Sequence, residues 1–244
     1  MITATSRTAR CRPRKVFSKR QDDDVRPITK TARSIVFVVD DDASVRDAIS
    51  RLLGTVGLHA KEFGSALEFL AGDRPDLPSC LILDVRLPGI SGIDFQRELS
   101  KANIRIPIVF ITAHGDVPMS VKAMKAGAVE FLIKPFHDQD LLDAVQTALE
   151  KDRLRRLTEA EIADLHRRLR GLTPREREVL PLVISGRLNK QIAAEINASE
   201  ATVKVHRSQL MRKMQAKSVP DLVRMAEKMG IRAAAPKPDP SLPK

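Results

Sequence analysis

Between Ser34 and Glu150, five short apolar runs alternate with five segments of helical period. That alternation leaves few folds open. A strand, a helix and a further strand, repeated, need crossover connections, and crossovers between parallel strands are right-handed in nearly every case. The pattern predicts a doubly wound α/β fold, a five-stranded parallel sheet with helices on both faces. In its small-domain, flavodoxin-like version the strand order is 2-1-3-4-5. Strands are expected near 34–39, 59–63, 80–84, 107–112 and 130–134. Helices are expected near 44–56, 65–71, 92–101, 117–126 and 138–150.

The third strand carries the most informative stretch, C-L-I-L-D-V-R-L-P-G from Cys80 to Gly89. Leu81, Ile82 and Leu83 read as a strand buried on both faces, which delivers Asp84 into a Pro-Gly turn. An Asp in that place can simply cap the turn. The topology weighs against so plain a role, because it brings Asp40, Asp41, Asp84, Thr112 and Lys134 to the carboxyl ends of four strands. In open α/β sheets that edge is where ligands bind. Two like charges about 4 Å apart repel by about 4 kcal/mol at an effective dielectric of 20, so such a pocket holds protons or a hard cation. Oxygen-only donors without His or Cys point to Mg²⁺. A carboxylate beside a divalent cation, a hydroxyl and a lysine suits phosphoryl transfer to the carboxylate.

Charge divides the chain. Residues 1–34 hold 10 basic and 3 acidic residues, 35–150 hold 11 and 17, and 151–244 hold 21 and 11. An acidic centre ahead of a basic end predicts two domains with different partners, the second of them nucleic acid. Residues 1–33, poor in apolar side chains, read as a disordered basic arm, and 232–244 as a disordered Pro-rich tail. No apolar run is long enough for a membrane span, and a cytoplasmic protein is expected. Cys11 and Cys80 belong to no metal-spaced pair, and both are read as reduced and incidental.

Residues 151–171 place Ile162, Leu165 and Leu169, with Leu172 just beyond, on one side of a linker helix. Thr173-Pro174-Arg175-Glu176 then reads as a capping box with Pro at the first helical position. A short helix capped by Asn189, a turn at Asn197 and a longer helix capped by Ser199 have helix-turn-helix spacing. Val203, Leu210 and Met214 should face the core of that unit. Lys204, Val205 and Ser208 then lie on another face, where an exposed valine among cations suits a thymine methyl in a major groove. A charged solvent face with Val205 half-buried is the plainer reading of the same helix.

V-V-D-D-D, L-D-V-R-L-P-G-I-S-G, I-T-A-H-G-D and K-A-G-A-V-E-F-L-I-K-P-F together resemble the receiver domain of two-component response regulators (residues 34–150). L-T-P-R-E-R-E-V-L, N-K-Q-I-A and S-E-A-T-V-K-V-H-R-S-Q-L-M-R-K-M resemble the LuxR-type helix-turn-helix output domain (residues 172–231). Together they identify the chain as similar to the NarL/FixJ class, and to FixJ-like regulators within it. The resemblance implies that Asp84 is the phosphoacceptor, with a sensor histidine kinase as donor. It implies Mg²⁺ bound by Asp41, Asp84 and the Arg86 carbonyl, with Asp40 supporting and Asp42 no ligand. Thr112 and Lys134 would bind the phosphoryl group, Phe131 would be the switch aromatic, and Lys134-Pro135 would be cis. Lys204, Val205 and Ser208 would face bases, while Asn189, Lys190, Thr202 and Arg207 would meet phosphates. Phosphorylation would make a homodimer that binds promoter DNA and acts with RNA polymerase, with no enzymatic turnover beyond autophosphatase activity. Two rivals remain at this level. A hydrolase of the haloacid dehalogenase type also uses a strand-end Asp, but expects a second Asp where Arg86 stands. A constitutive DNA-binding protein would need no intact acidic pocket.

Overall fold

The structure is a computed structural model and describes residues 34–234. The expected arm at 1–33, with Cys11, and residues 235–244 of the expected tail lie outside the described residues. The first half of the described chain runs β1 (Ile35–Val39), α1 (Ala43–Thr55), β2 (His59–Phe63), α2 (Ala66–Ala71), β3 (Ser79–Asp84), α3 (Gly92–Lys101), β4 (Ile108–Thr112), α4 (Val117–Lys125) and β5 (Glu130–Ile133). All pairings are parallel, in the order β2-β1-β3-β4-β5. Every residue of β3 and β4 is buried and all but the first of β1, whereas β2 and β5 at the edges are partly exposed. That difference explains why the central strands are continuous apolar runs. One face of the sheet packs through Phe37, Leu81, Phe110 and the edge-on rings of Phe63, Phe69 and Phe95. The other packs Val36, Val38, Ile82 and Ile111 against α1 and α5 (Asp138–Arg170).

Helix α5 departs from expectation. Instead of a receiver helix ending near 150 and a separate linker helix over 151–171, one 33-residue helix runs from Asp138 to Arg170. The stretch contains neither Gly nor Pro, so nothing local stops it. Leu141, Ala144, Val145 and Ala148 pack on the sheet, while Leu165 is buried and Leu169 packs against the C-terminal core. Between these two apolar stretches lies Asp152, fully buried. It accepts from the Ser79 backbone N–H at the start of β3 (3.0 Å) and pairs with Arg155 and Arg156 (2.5 and 2.7 Å).

The C-terminal part comprises α6 (Pro174–Ile184), α7 (Asn189–Glu195), α8 (Glu200–Met214) and α9 (Val219–Lys228). The capping box forms as the sequence predicts: Glu176 N–H donates to Thr173 Oγ1, and Thr173 N–H donates to Glu176. Ser199 caps α8 and Ser218 caps α9. Asn189 does not cap α7. It is the first helical residue, and the Gln191 side chain instead accepts from the Leu188 N–H (2.8 Å). The chain also stays on the domain past the expected start of the tail at 232, since Ala234 N–H donates to the Pro181 carbonyl (3.1 Å).

Candidate functional site

Each residue of the pocket is placed by the end of a strand. Asp40 and Asp41 follow β1, and Asp84 ends β3 beside it, since Val39 pairs in register with Leu83. Asp84 pairs with Ile111 of β4, so Thr112 lies one step beyond it, and Lys134 N–H donates to the Thr112 carbonyl (2.8 Å). Ligand oxygens of Asp40, Asp41 and Asp84 all lie within 4.8 Å of one another. Asp40 and Asp84 use their carboxylates alike. In each, Oδ1 accepts from the backbone N–H two residues on (Asp42 and Arg86, both 2.9 Å), and Oδ2 accepts from Lys134 Nζ (2.6 and 3.2 Å). Asp40 is 1% exposed and Asp84 8%, whereas Asp41 opens to solvent. Asp42 turns away to cap α1 through Ser44, in keeping with a position that is not a ligand.

The electrostatics follow from that burial. Desolvation pulls the Asp40 carboxyl above its ordinary value, held back by the bonds from Lys134 and the Asp42 N–H. Burial by itself would lower Lys134. The bonds and charges of Asp40 and Asp84 outweigh it and hold the ammonium above its ordinary value. The donor set, three carboxylates and no nitrogen or sulfur ligand, fits a hard divalent cation. One ammonium shared by two carboxylates leaves the cluster with net negative charge to be balanced.

The turn after Asp84 depends on Gly92, whose backbone passes so close that a Cβ there would lie 2.4 Å from the Asp84 carbonyl oxygen. Arg86 bridges to Ser91 within this turn. Thr112 is fully buried, and its hydroxyl accepts from His114 N–H (3.3 Å). Phe131, half-buried on β5, lies 6.2 Å from Phe110 between ring centroids. Gly115 is pressed against it. Lys134-Pro135 is cis. Cys80 is buried in β3, and burial, with a lesser contribution from the charge of Asp152, pushes its thiol well above the ordinary range.

In the helix-turn-helix, Asn197 adopts a left-handed turn (φ 52°) between α7 and α8. Val203, Leu210 and Met214 are fully buried. Lys204, Val205 and Ser208 are exposed, Val205 by 58%, so the half-buried alternative for this valine does not hold. Thr202 and Lys190 are exposed as well. Asn189 and Arg207 are brought together, the guanidinium donating to the Asn189 Oδ1 (3.1 Å), and both are half-buried. The sequence reading missed two residues, Arg46 beside the pocket and Asp152 on α5. Neither carries a motif signal, since each also takes a partner from a strand distant in the chain, Glu62 for Arg46 and Ser79 for Asp152.

Residues 36–146 match the family described as response regulator receiver domain, and 170–226 match bacterial regulatory proteins, luxR family. Nodulation protein W of Bradyrhizobium diazoefficiens is 54% identical over 203 residues, which is 83% of this chain and 89% of that protein. Transcriptional regulatory protein FixJ of Rhizobium meliloti is 44% identical over 192 residues, 78% of this chain and 94% of that one. The solved structure of the response regulator StyR superposes with a TM-score of 0.73 at 49% identity, covering 81% of this chain and all of that one. No helix among the described residues is long and apolar enough to cross a membrane.

Proposed function

We propose, for a chain that belongs to the two-component response regulators of the NarL/FixJ family, that a phosphoryl group taken up by Asp84 controls its binding to promoter DNA. It is a transcriptional regulator rather than an enzyme, with a histidine kinase as the partner its receiver implies and DNA as the partner its LuxR-type domain implies. The observation that carries the proposal is Lys134 Nζ donating to both Asp40 and Asp84. An ammonium held there can follow negative charge outward as Asp84 becomes an acyl phosphate.

In the reaction, a carboxylate oxygen of Asp84 attacks phosphorus, the P–N bond to the kinase imidazole breaks, and the imidazole leaves as it takes up a proton. Asp41, Asp84 and the Arg86 carbonyl, with Asp40 in support, would hold Mg²⁺. The chemistry a bound Mg²⁺ supplies is neutralisation of phosphoryl oxygens. The Arg86 N–H orients Asp84, leaving the oxygen now facing Lys134 as the nucleophile. Lys134 exchanges Asp84 for a phosphoryl oxygen, and the Thr112 hydroxyl turns from its backbone partner to donate to another. The group adds about −1.5 to −2 charges. Drawing Thr112 inward frees the space into which Phe131 rotates, remodelling the face of α4 and β5.

That face then forms a homodimer, which places two output domains on half-sites about one helical turn apart and presents the regulator to RNA polymerase in the cytoplasm. Lys204, Val205 and Ser208 read bases, while Asn189, Lys190, Thr202 and Arg207 meet phosphates. Intact-mass measurement after incubation with acetyl phosphate and Mg²⁺ tests the proposal. One added phosphoryl group is expected on the wild type and none on Asp84→Asn or in the presence of chelator. Equal labelling of Asp84→Asn would overturn the assignment.

A further inference from the structure

Arg46, on the first turns of α1, makes no contact with the three carboxylate groups, yet it is tied to the backbone that carries two of them. Its Nη1 donates to the carbonyl oxygens of Asp40 (2.7 Å) and Asp41 (3.2 Å). Its Nε lies 3.7 Å from Glu62 Oε2 on β2, too long for a hydrogen bond, and is buried without another acceptor. The other Glu62 oxygen accepts from Ser50 Oγ of α1 (2.6 Å). The guanidinium is thus clamped between an edge strand and the β1–α1 turn, with its side chain only 18% exposed.

We propose that Arg46 is a positioning residue for the cation site: by holding the Asp40 and Asp41 carbonyls it turns those two peptide units outward and fixes both carboxylates toward Asp84. The reasoning is geometric. A carbonyl engaged on the outer side of the turn cannot rotate into the pocket, and the side chain leaving the same residue is directed by that constraint. Asp40 is also held by the Asp42 N–H and Lys134, and Asp42 by its cap on α1, whereas Asp41, between them, is exposed and has its carbonyl held by Arg46. Groups that orient metal ligands from outside typically change metal affinity by about 10–100-fold when removed. The charge of Arg46 acts the opposite way, because deleting a cation near an acidic cluster favours another cation. Salt separates the two effects. The Debye length shortens from about 10 Å at 0.1 M to about 3 Å at 1 M, so a charge effect fades with added salt and an orientational one persists.

The inference rests on the reading of Asp40, Asp41 and Asp84 as a Mg²⁺ site, so the experiment begins with calorimetric titration of Mg²⁺ into the full-length wild type. If the wild type binds no Mg²⁺, that reading fails and the inference falls with it. If it binds, Arg46→Gln is expected to bind about 10–100-fold more weakly at both salt concentrations. Its initial rate of labelling by acetyl phosphate should return to the wild-type value at saturating Mg²⁺, and Arg46→Lys, able to reach one carbonyl, should lie between. An affinity in Arg46→Gln equal to or tighter than wild type would overturn the inference, whatever its melting temperature. Should Arg46→Gln not fold, Glu62→Gln and Arg46→Lys supply the comparison: severalfold weakening in both is expected, and unchanged affinity in both would overturn it.

Discussion

Replacing Asp152 by alanine tests whether α5 is held to the sheet by a buried charge. The change leaves the Ser79 N–H, at a fully buried end of β3, without its acceptor, and an unsatisfied buried donor costs about 1–3 kcal/mol. Arg155 and Arg156 lose the same carboxylate, but they are 29% and 28% exposed and keep Glu159 and Asp76 as partners. Solvent therefore limits that part to about 1 kcal/mol or less for each arginine. We expect a total near 2–4 kcal/mol, which for a domain of this size lowers its midpoint by about 8–15 °C. Asp152→Asn keeps an acceptor for Ser79 and should lose about 1 kcal/mol. Scanning calorimetry of the full-length protein reads the receiver transition, and hydrogen exchange reads the Ser79 amide, which should exchange faster in Asp152→Ala than in Asp152→Asn. Equal midpoints for the two variants, or a loss below about 1 kcal/mol in Asp152→Ala, would refute the reasoning. The sheet-packing residues Leu141, Val145 and Ala148 would then hold α5 unaided.

Three further outcomes are expected. A methyl at Gly115 would meet Phe131 Cε1 at 2.9 Å and Ile133 Cγ1 at 3.1 Å, so Gly115→Ala should displace the ring and raise the dimer fraction without phosphate, by overpacking of about 1–3 kcal/mol; wild-type light scattering would count against Phe131 as the moving element. Burial would raise the Glu176 carboxyl, but bonds from Lys213 and Thr173 outweigh it and hold it below 4.5, so its stabilisation is present above that value and lost as pH falls through the lower folded value. Glu176→Gln should accordingly melt lower than wild type at pH 7, with a gap that closes on acidification below about 4.5; a gap independent of pH would contradict the linkage. Lys204→Ala should lose about 1–3 kcal/mol at the operator and little on scrambled DNA, whereas Lys190→Ala should weaken both alike, and proportional losses in both variants in competition titrations would make Lys204 a phosphate contact.

The strands and the pocket were legible in the sequence because each depends on short-range pattern. Apolar runs such as Cys80 to Leu83, ended by Asp84, define a strand and its functional end, and right-handed crossovers then bring Asp40, Asp84, Thr112 and Lys134 to one edge. The caps at Thr173 and Ser199 are equally local, as is the seven-and-four spacing of Val203, Leu210 and Met214. Tertiary structure decided what depends on partners distant in the chain. Asn189, which looks like a cap, instead meets Arg207 because α7 and α8 cross there. The unbroken α5 has no stop signal, but where its receiver-bound part ends is set by Asp152 reaching Ser79, 73 residues away. Arg46 reaches the Asp40 and Asp41 carbonyls within its own turn, but Glu62 beside it comes from an edge strand that no local pattern ties to it. Hydrophobic period and capping are encoded within a turn or two of chain, whereas a buried polar group takes its meaning from whichever donor or acceptor the fold brings within about 3 Å.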